Sequence, residues 1–305
     1  MKTKYFILSL IITLASCKKN NETTNNTGTP PNTIDNYFAA HLQSDQQFTL
    51  NASLGGTIIG SKGTELTFGA NSFITSTGQQ VTGNVIIFLK EFISKADLIF
   101  NNIYTASNGR PLMSGGAYEI HVKQNGNELS IAQNKTYSVK MTPSPDNDQM
   151  YVYKGSNNTS GEFGKVDWSL NQSSLNSFTT TVFDSSFFSQ IGTINDLNYI
   201  NCDHPYDSLY SELNVSFTGT DFDRFIPIVI AKNTRTVVGN ISVSGNSFQW
   251  KYAPPGIQLR IFMIATKNDK LFLTQQLVTF NGQAVTLPVF LEISSENLTS
   301  FINSL

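Results

Sequence analysis

A chain of 305 residues is long enough for two domains of ordinary size. Its 20 Lys and Arg stand against 22 Asp and Glu, a net charge of −2 with no basic cluster, which argues against nucleic acid as a partner. Charged side chains make up 14% of the residues, against about 25% in an average soluble protein, so Ser, Thr and Asn cover the surface, a composition common in exported β-proteins.

Residues 1–16 read as a leader. Lys2 and Lys4 form a positive start, residues 5–14 an apolar stretch, and Ala15 and Ser16 are small enough for a peptidase cleft. A membrane-spanning helix needs roughly twenty apolar residues, so this stretch is too short to be one. Leu14-Ala15-Ser16-Cys17 resembles the lipobox of bacterial lipoproteins. The resemblance implies that a signal peptidase reads Leu14, Ala15 and Ser16, that Cys17 receives a diacylglycerol, and that the leader is cut before it. Lys2 and Lys4 leave with the leader, so the mature chain has a formal charge of −4. The most apolar later runs, 226–231 and 261–265, are strand-sized, which makes the lipid the only expected membrane attachment. With Cys17 consumed as a thioether, Cys202, the one other cysteine, has no intrachain partner.

Residues 17–44 are expected to hold the lipidated cysteine, a flexible tether and a short helix. The stretch 18–33 is polar and lacks apolar periodicity. Ile34, Tyr37, Phe38, His41 and Leu42 then fall at helical spacing, with Asp35 near the start. From Phe48 the period switches to two. Tyr118, Ile120 and Val122 alternate with Glu119, His121 and Lys123, and Tyr137, Val139 and Met141 with Thr136, Ser138 and Lys140, the pattern of half-buried strands. The run 85–89 is continuously apolar and predicts a central strand buried on both faces. Asn125-Gly126 predicts a tight hairpin, since both residues tolerate positive φ. A first β-sandwich is thus expected over 45–170, closing with Val166, Trp168 and Leu170.

The Ser-, Thr- and Asn-rich stretch 171–195 predicts a linker. Seven strands follow, at 213–217, 225–231, 236–243, 248–252, 257–266, 271–280 and 284–293. Their turns are marked by residues such as Gly245-Asn246, Pro254-Pro255-Gly256 and Asn281-Gly282. Their number and spacing predict an immunoglobulin-like sandwich over 196–305. A C-terminal helix closes it, capped by Ser294 or Ser295, with Glu296 in the first turn and Leu298, Phe301, Ile302 and Leu305 on one face. The expected fold class is therefore all-β, two sandwiches with short peripheral helices.

Gly55-Gly56-Thr57-Ile58, Gly63-Thr64-Glu65-Leu66-Thr67-Phe68 and Asn71-Ser72-Phe73 give the first sandwich a resemblance to ZU5 modules, as found in ankyrins and netrin receptors. The stretches 81–85, 107–109, 114–116, Ile200-Asn201-Cys202-Asp203 and Pro254-Pro255-Gly256 are similar to a group of Bacteroidetes lipoproteins of unknown function, over most of 50–300. ZU5 modules bind protein partners, and a few cleave themselves at His-Phe-Ser. That triplet is absent here, so the resemblance implies binding and not self-cleavage.

The chemistry-bearing residues point the same way. His41, His121 and His204 have no second histidine at metal spacing, and neither HExxH nor CxxC occurs, so no metal or cofactor is expected. His121 reads as a solvated histidine and His41 as a partly buried structural one. Cys202-Asp203-His204 is the one cluster that suggests a nucleophile. Strand neighbours i and i+2 lie about 6–7 Å apart, too far for a thiol–imidazole hydrogen bond, so the thiol is expected to be buried and inert. Asp146-Asn147-Asp148 and Asp221-Phe222-Asp223 lack the longer Asp/Asn-and-Gly loop of a calcium site. Tyr151, Tyr153, Phe187, Phe188 and Tyr206 are candidates for a sugar platform, with core packing the plainer explanation. No catalytic residue is expected.

The expected function is a non-enzymatic, lipid-anchored envelope protein, a protein-binding or envelope-assembly module. A carbohydrate-binding or carbohydrate-processing accessory lipoprotein is the alternative. The expected partners are the membrane, through the N-terminal lipid, and a protein or glycan. Lys18 replaces the Asp that would retain a lipoprotein in the inner membrane, so the outer membrane is expected. The lightly charged Asn- and Thr-rich chain favours the cell surface over the periplasmic face.

Overall fold

Period-two alternation builds two β-sandwiches, and a third core fuses them. The computed structural model describes residues 33–141, 150–174, 176–182, 188–206, 209–219 and 221–305. In chain order, α1 (Thr33–Ala39) leads into β1 (Gln46–Asn51), β2 (Gly56–Ile59), β3 (Glu65–Phe68), β4 (Phe73–Ile74) and β5 (Asn84–Phe92). After α2 (Lys95–Phe100) come β6 (Ala106–Ser107), β7 (Arg110–Gln124), β8 (Asn127–Glu128), β9 (Ser130–Ile131) and β10 (Tyr137–Lys140). Next are β11 (Tyr151–Asn157), β12 (Val166–Leu170), β13 (Ser177–Val182), β14 (Phe188–Ile194) and β15 (Asn198–Pro205). The second sandwich begins with β16 (Ser211–Ser216), β17 (Arg224–Ala231), β18 (Val237–Gly239), β19 (Val243–Ser244) and β20 (Ser247–Ala253). It ends with β21 (Gln258–Lys267), β22 (Lys270–Thr279), β23 (Val285–Thr286), β24 (Leu291–Ile293) and α3 (Ser295–Asn303).

In the first sandwich, the sheet ordered β1-β5-β7-β15-β11-β12 faces the sheet ordered β13-β14-β10-β3-β2. Tyr118, Ile120 and Val122 turn into the space between them and are fully buried, as are Val139 and Leu66 from the facing sheet. Asn125 (φ 52) and Gly126 (φ 83) close the two-residue β7–β8 hairpin, which pairs Gln124 with Asn127, as their tolerance of positive φ predicts. The run 85–89 differs from expectation. Val85, Ile87 and Leu89 are buried, but Ile86 is 42% exposed, so β5 is central in its sheet and covered on one face only there.

The expected linker over 171–195 is also corrected. β13 and β14 pair with each other over Ser177–Val182, and β14 continues onto β10. β15, which falls within the expected 196–305 domain, is instead hydrogen-bonded between β7 and β11 in the first sandwich. The Thr residues that made this stretch look like a linker are β-branched strand formers. The first sandwich therefore extends to Pro205, and the second starts at Ser211.

In the second sandwich, the sheet β19-β20-β16-β23 packs on β18-β17-β21-β22-β24 around Leu213, Val215, Trp250, Ile261 and Phe280. The other face of that second sheet is buried as well. Ile226, Ile228 and Ile230 of β17, with Phe262 and Ile264 of β21, join Trp168, Tyr153 and Ala117 of the first sandwich in one apolar cluster. α1, α2 and α3 fill its edges through Ile34, Tyr37, Leu98, Ile99, Leu298 and Ile302. A strand buried on both faces reads as a continuous apolar run, which is the physical reason for the runs at 226–231 and 261–265. Residues 32–305 accordingly form one compact unit.

The helices carry their own signals. Ser294 Oγ accepts the Asn297 N–H at 3.2 Å at the start of α3, where a cap was expected. α2 begins with a reciprocal capping box between Ser94 and Asp97, at 3.0 and 2.9 Å. Thr299 on α3 bonds both Tyr37 Oη and His41 Nε2 at 3.0 Å, which ties α1 to α3.

Candidate functional site

The two sandwiches meet along a seam of buried hydrogen bonds, and a cleft opens at one end of it. Asn108 (φ 50) and Gly109 (φ 75) form the turn between β6 and β7, pairing Ser107 with Arg110. This hairpin belongs to the first sandwich but is anchored in the second: Trp250 Nε1 donates to the Gly109 carbonyl at 2.8 Å, and Ala106 lies in the second sandwich's core. A Cβ on Gly109 would sit 3.1 Å from the Phe163 ring, so the close approach as well as the positive φ selects glycine. Further along the seam, Thr236 Oγ1 donates to the Leu112 carbonyl at 2.9 Å and Arg235 Nη1 to the Gly115 carbonyl at 2.6 Å.

The cleft has a volume of about 550 Å³ and takes its walls from β6, β7, β11, β12, β15, β20 and the segment after β15. Four tyrosines line it: Tyr153, Tyr206, Tyr210 and Tyr252. Tyr206 Oη is bonded to Thr234 Oγ1 at 3.1 Å, and Tyr210 Oη donates to the Tyr206 carbonyl at 3.1 Å, so these two rings are fixed by their hydroxyls. Tyr210 and Tyr252 stand edge to face, with centroids 5.8 Å apart at 84°. Arg110 lies over the Tyr252 ring at 5.4 Å, a cation–π contact. Tyr153 is 6% exposed. Burial, reinforced by the Asp203 carboxylate and by Tyr151 and Tyr210, pushes its phenol up to about 12, so it stays a proton donor at neutral pH.

Of the aromatics named from sequence, Tyr153 and Tyr206 come together in this cleft. Tyr151 is 44% exposed and lines a smaller neighbouring depression with Met150, Asn176 and Leu170, the last of which also borders the cleft. Phe187 and the Phe188 side chain lie outside the described residues, as do Leu14, Ala15, Ser16 and Cys17, and Asp146-Asn147-Asp148. Arg110, Tyr210 and Tyr252 carried no sequence signal: the lining is gathered from five separated stretches of chain, and no local spacing links them.

Cys202 is fully buried in the inter-sheet core of the first sandwich, and burial, with the neighbouring Asp203 charge, pushes its thiol well up. His204 Nδ1 lies 3.1 Å from the Pro205 carbonyl, a contact that makes it the protonated nitrogen. Asp203 accepts from Asn201 Nδ2 at 2.6 Å, and Asn201 Oδ1 accepts from Ser114 Oγ at 3.0 Å, so this cluster acts as a polar lining at the β-bulge between Cys202 and Asp203. His41 is structural: its ring stacks on Phe100 at 4.8 Å, and Nδ1 bonds the Tyr37 carbonyl at 2.7 Å.

His121 is less solvated than its strand position implied. It lies 3.4 Å from Glu119 and 3.5 Å from Glu128, with its side chain 28% exposed. The Glu119 hydrogen bond raises its pKa against burial. Burial alone would lift Glu119, but bonds from His121 and Lys90 hold it down to about 2. The fully buried Glu91 has a structural task. It accepts the backbone N–H groups of Lys62 at 3.0 Å and Thr64 at 3.1 Å, and so organises the β2–β3 turn. Asp221 is ion-paired with Lys267, and Asp223 accepts the Asn268 N–H at 3.3 Å. Among the described residues, no group of three His, Cys, Asp or Glu side chains is placed to hold a metal ion. Comparisons with protein-family models, curated protein sequences and solved structures returned no match.

Proposed function

We propose that this chain is a non-enzymatic, lipid-anchored protein of the cell envelope that holds a ligand in the seam cleft. The cleft is the observation that carries the reading. Its volume of about 550 Å³ lies within the roughly 300–1,000 Å³ typical of ligand sites, and it sits where two layers of structure meet. Its tyrosines are pre-set by hydrogen bonds and ring contacts, so binding costs little ordering. The anchor rests on the lipobox Leu14-Ala15-Ser16-Cys17, and outer-membrane placement with surface display rests on Lys18 and the composition. The likeness of the first sandwich to ZU5 modules, of the second to immunoglobulin domains, and of the whole to Bacteroidetes lipoproteins belongs to the same proposal.

Protein and glycan ligands are both compatible with an envelope address. The test is a binding screen of the full chain against glycan and peptide arrays, repeated with Tyr206→Ala/Tyr210→Ala. A ligand retained by the wild type and weakened at least tenfold by the double variant supports the reading. Equal retention by both proteins refutes the cleft as the binding site, and turnover of any retained ligand refutes the non-enzymatic assignment.

A further inference from the structure

The lining of the cleft carries an asymmetry of charge. Among the eleven described residues that line it, Arg110 is the only Lys, Arg, Asp, Glu or His. It is exposed, and its recorded contact is the Tyr252 ring; it has no hydrogen-bond or ion-pair partner among the described residues. Elsewhere in the first sandwich Lys90, Lys140 and Lys154 are all ion-paired. A guanidinium whose contact is with an aromatic ring keeps its N–H donors, and their planar fork matches a carboxylate two bonds at a time. Because Arg110 directly follows the turn clamped by Trp250, the fork is presented from a fixed hairpin.

A second, independent observation comes from β11. Tyr153 lines the cleft, is 94% buried by its 6% exposure, and its hydroxyl has no hydrogen-bond partner among the described residues. The hydroxyl itself is not sealed off from the cleft, so a ligand oxygen has access to this donor. The tyrosine rings complete the recognition. The perpendicular Tyr210 and Tyr252 form a corner, where the negative face of one ring takes the polarised C–H groups of a saturated ring. A polyproline segment docks instead across a row of aromatic ridges, which a corner does not offer.

We propose that the seam cleft is a subsite for an acidic sugar, with the pyranose packed in the tyrosine corner, its carboxylate on Arg110 and a hydroxyl bonded by Tyr153. The inference rests on the reading of the cleft as the binding site. The test is calorimetric titration of the detergent-solubilised full chain with three probes: a trigalacturonate, its methyl ester, and a proline-rich peptide. The acid is expected to bind at least tenfold more tightly than the ester. Arg110→Gln, an exposed change that leaves the melting temperature in place, removes that difference, and Tyr252→Ala weakens acid and ester alike. The inference is overturned if acid and ester bind equally, if Arg110→Gln leaves acid binding unchanged, or if the acid does not bind. Peptide binding abolished by Tyr252→Ala, with no binding of the acid, overturns the acidic-sugar inference and leaves the cleft as the binding site, which the array screen with the Tyr206/Tyr210 variant decides separately.

Discussion

Ile228→Ala measures whether the two sandwiches share a core. Ile228 is fully buried on the face of β17 that meets the first sandwich, and its neighbour Val229, 1% exposed, faces the second sandwich's own interior. In a free-standing second sandwich the Ile228 face would lie in water, and truncation there would cost about 0.5 kcal/mol or less. Buried in the seam, the same truncation removes three carbons from a closed core and leaves a cavity, which costs about 2–5 kcal/mol. A value of about 3 kcal/mol corresponds to a fall in Tm of about 6–12 °C, using the scaling for domains of 150–250 residues. Urea unfolding of the full chain, followed by tryptophan fluorescence and by circular dichroism, is the assay. Trp168 reports from the seam and Trp250 from the second core, so a single coincident transition, shifted as a whole by Ile228→Ala, is expected. Two separated transitions, or a loss under about 0.5 kcal/mol, would refute the shared core.

Gly239→Ala tests the same seam by overpacking. Its new Cβ would lie 2.4 Å from the ring of Tyr104, which is 1% exposed and has nowhere to swing, so a loss of about 1–3 kcal/mol in thermal melts is expected, and an unchanged melt counts against the packing. Cys202 should resist alkylation by iodoacetamide at neutral pH until the chain unfolds; rapid labelling of the native protein would contradict its buried, protonated state. Cys17→Ser should abolish uptake of a fatty-acid probe, and a wild-type protein that takes up no label removes the lipid anchor from the proposal. Because the His121 pKa is raised by Glu119, the stability this pair contributes is full below the unfolded value of about 6.5 and is lost as pH rises through the folded value. Glu119→Gln should therefore lower the His121 titration midpoint in NMR, and an unmoved midpoint refutes the pairing.

Local periodicity found the elements. Five strands of the second sandwich fall within a few residues of 213–217, 225–231, 248–252, 257–266 and 271–280, because alternation and turn residues are properties of consecutive positions, whereas the expected strands 236–243 and 284–293 each break into two short ones. The cap at Ser294 and the turn at Asn125-Gly126 were legible for the same reason. α2 was not anticipated, since six residues carry too little periodicity to stand out, although Ser94 and Asp97 spell its capping box. Residues 171–195 were misread because Ser and Thr serve strands and linkers alike, and only pairing with β10 separates the two.

The sequence by itself determined an all-β chain, the positions of most strands and the burial of Cys202. Tertiary structure decided which strand lies beside which, and therefore where one sandwich ends and the next begins. It also turned two apolar runs into the shared wall of the seam, a distinction that hydrophobicity alone does not make between a both-face-buried strand and any other apolar segment. The cleft was wholly its work. Arg110, Tyr153, Tyr206, Tyr210 and Tyr252 are brought together by chain reversals that no spacing encodes, since a side chain's neighbours across a fold depend on long-range packing and not on its neighbours in sequence.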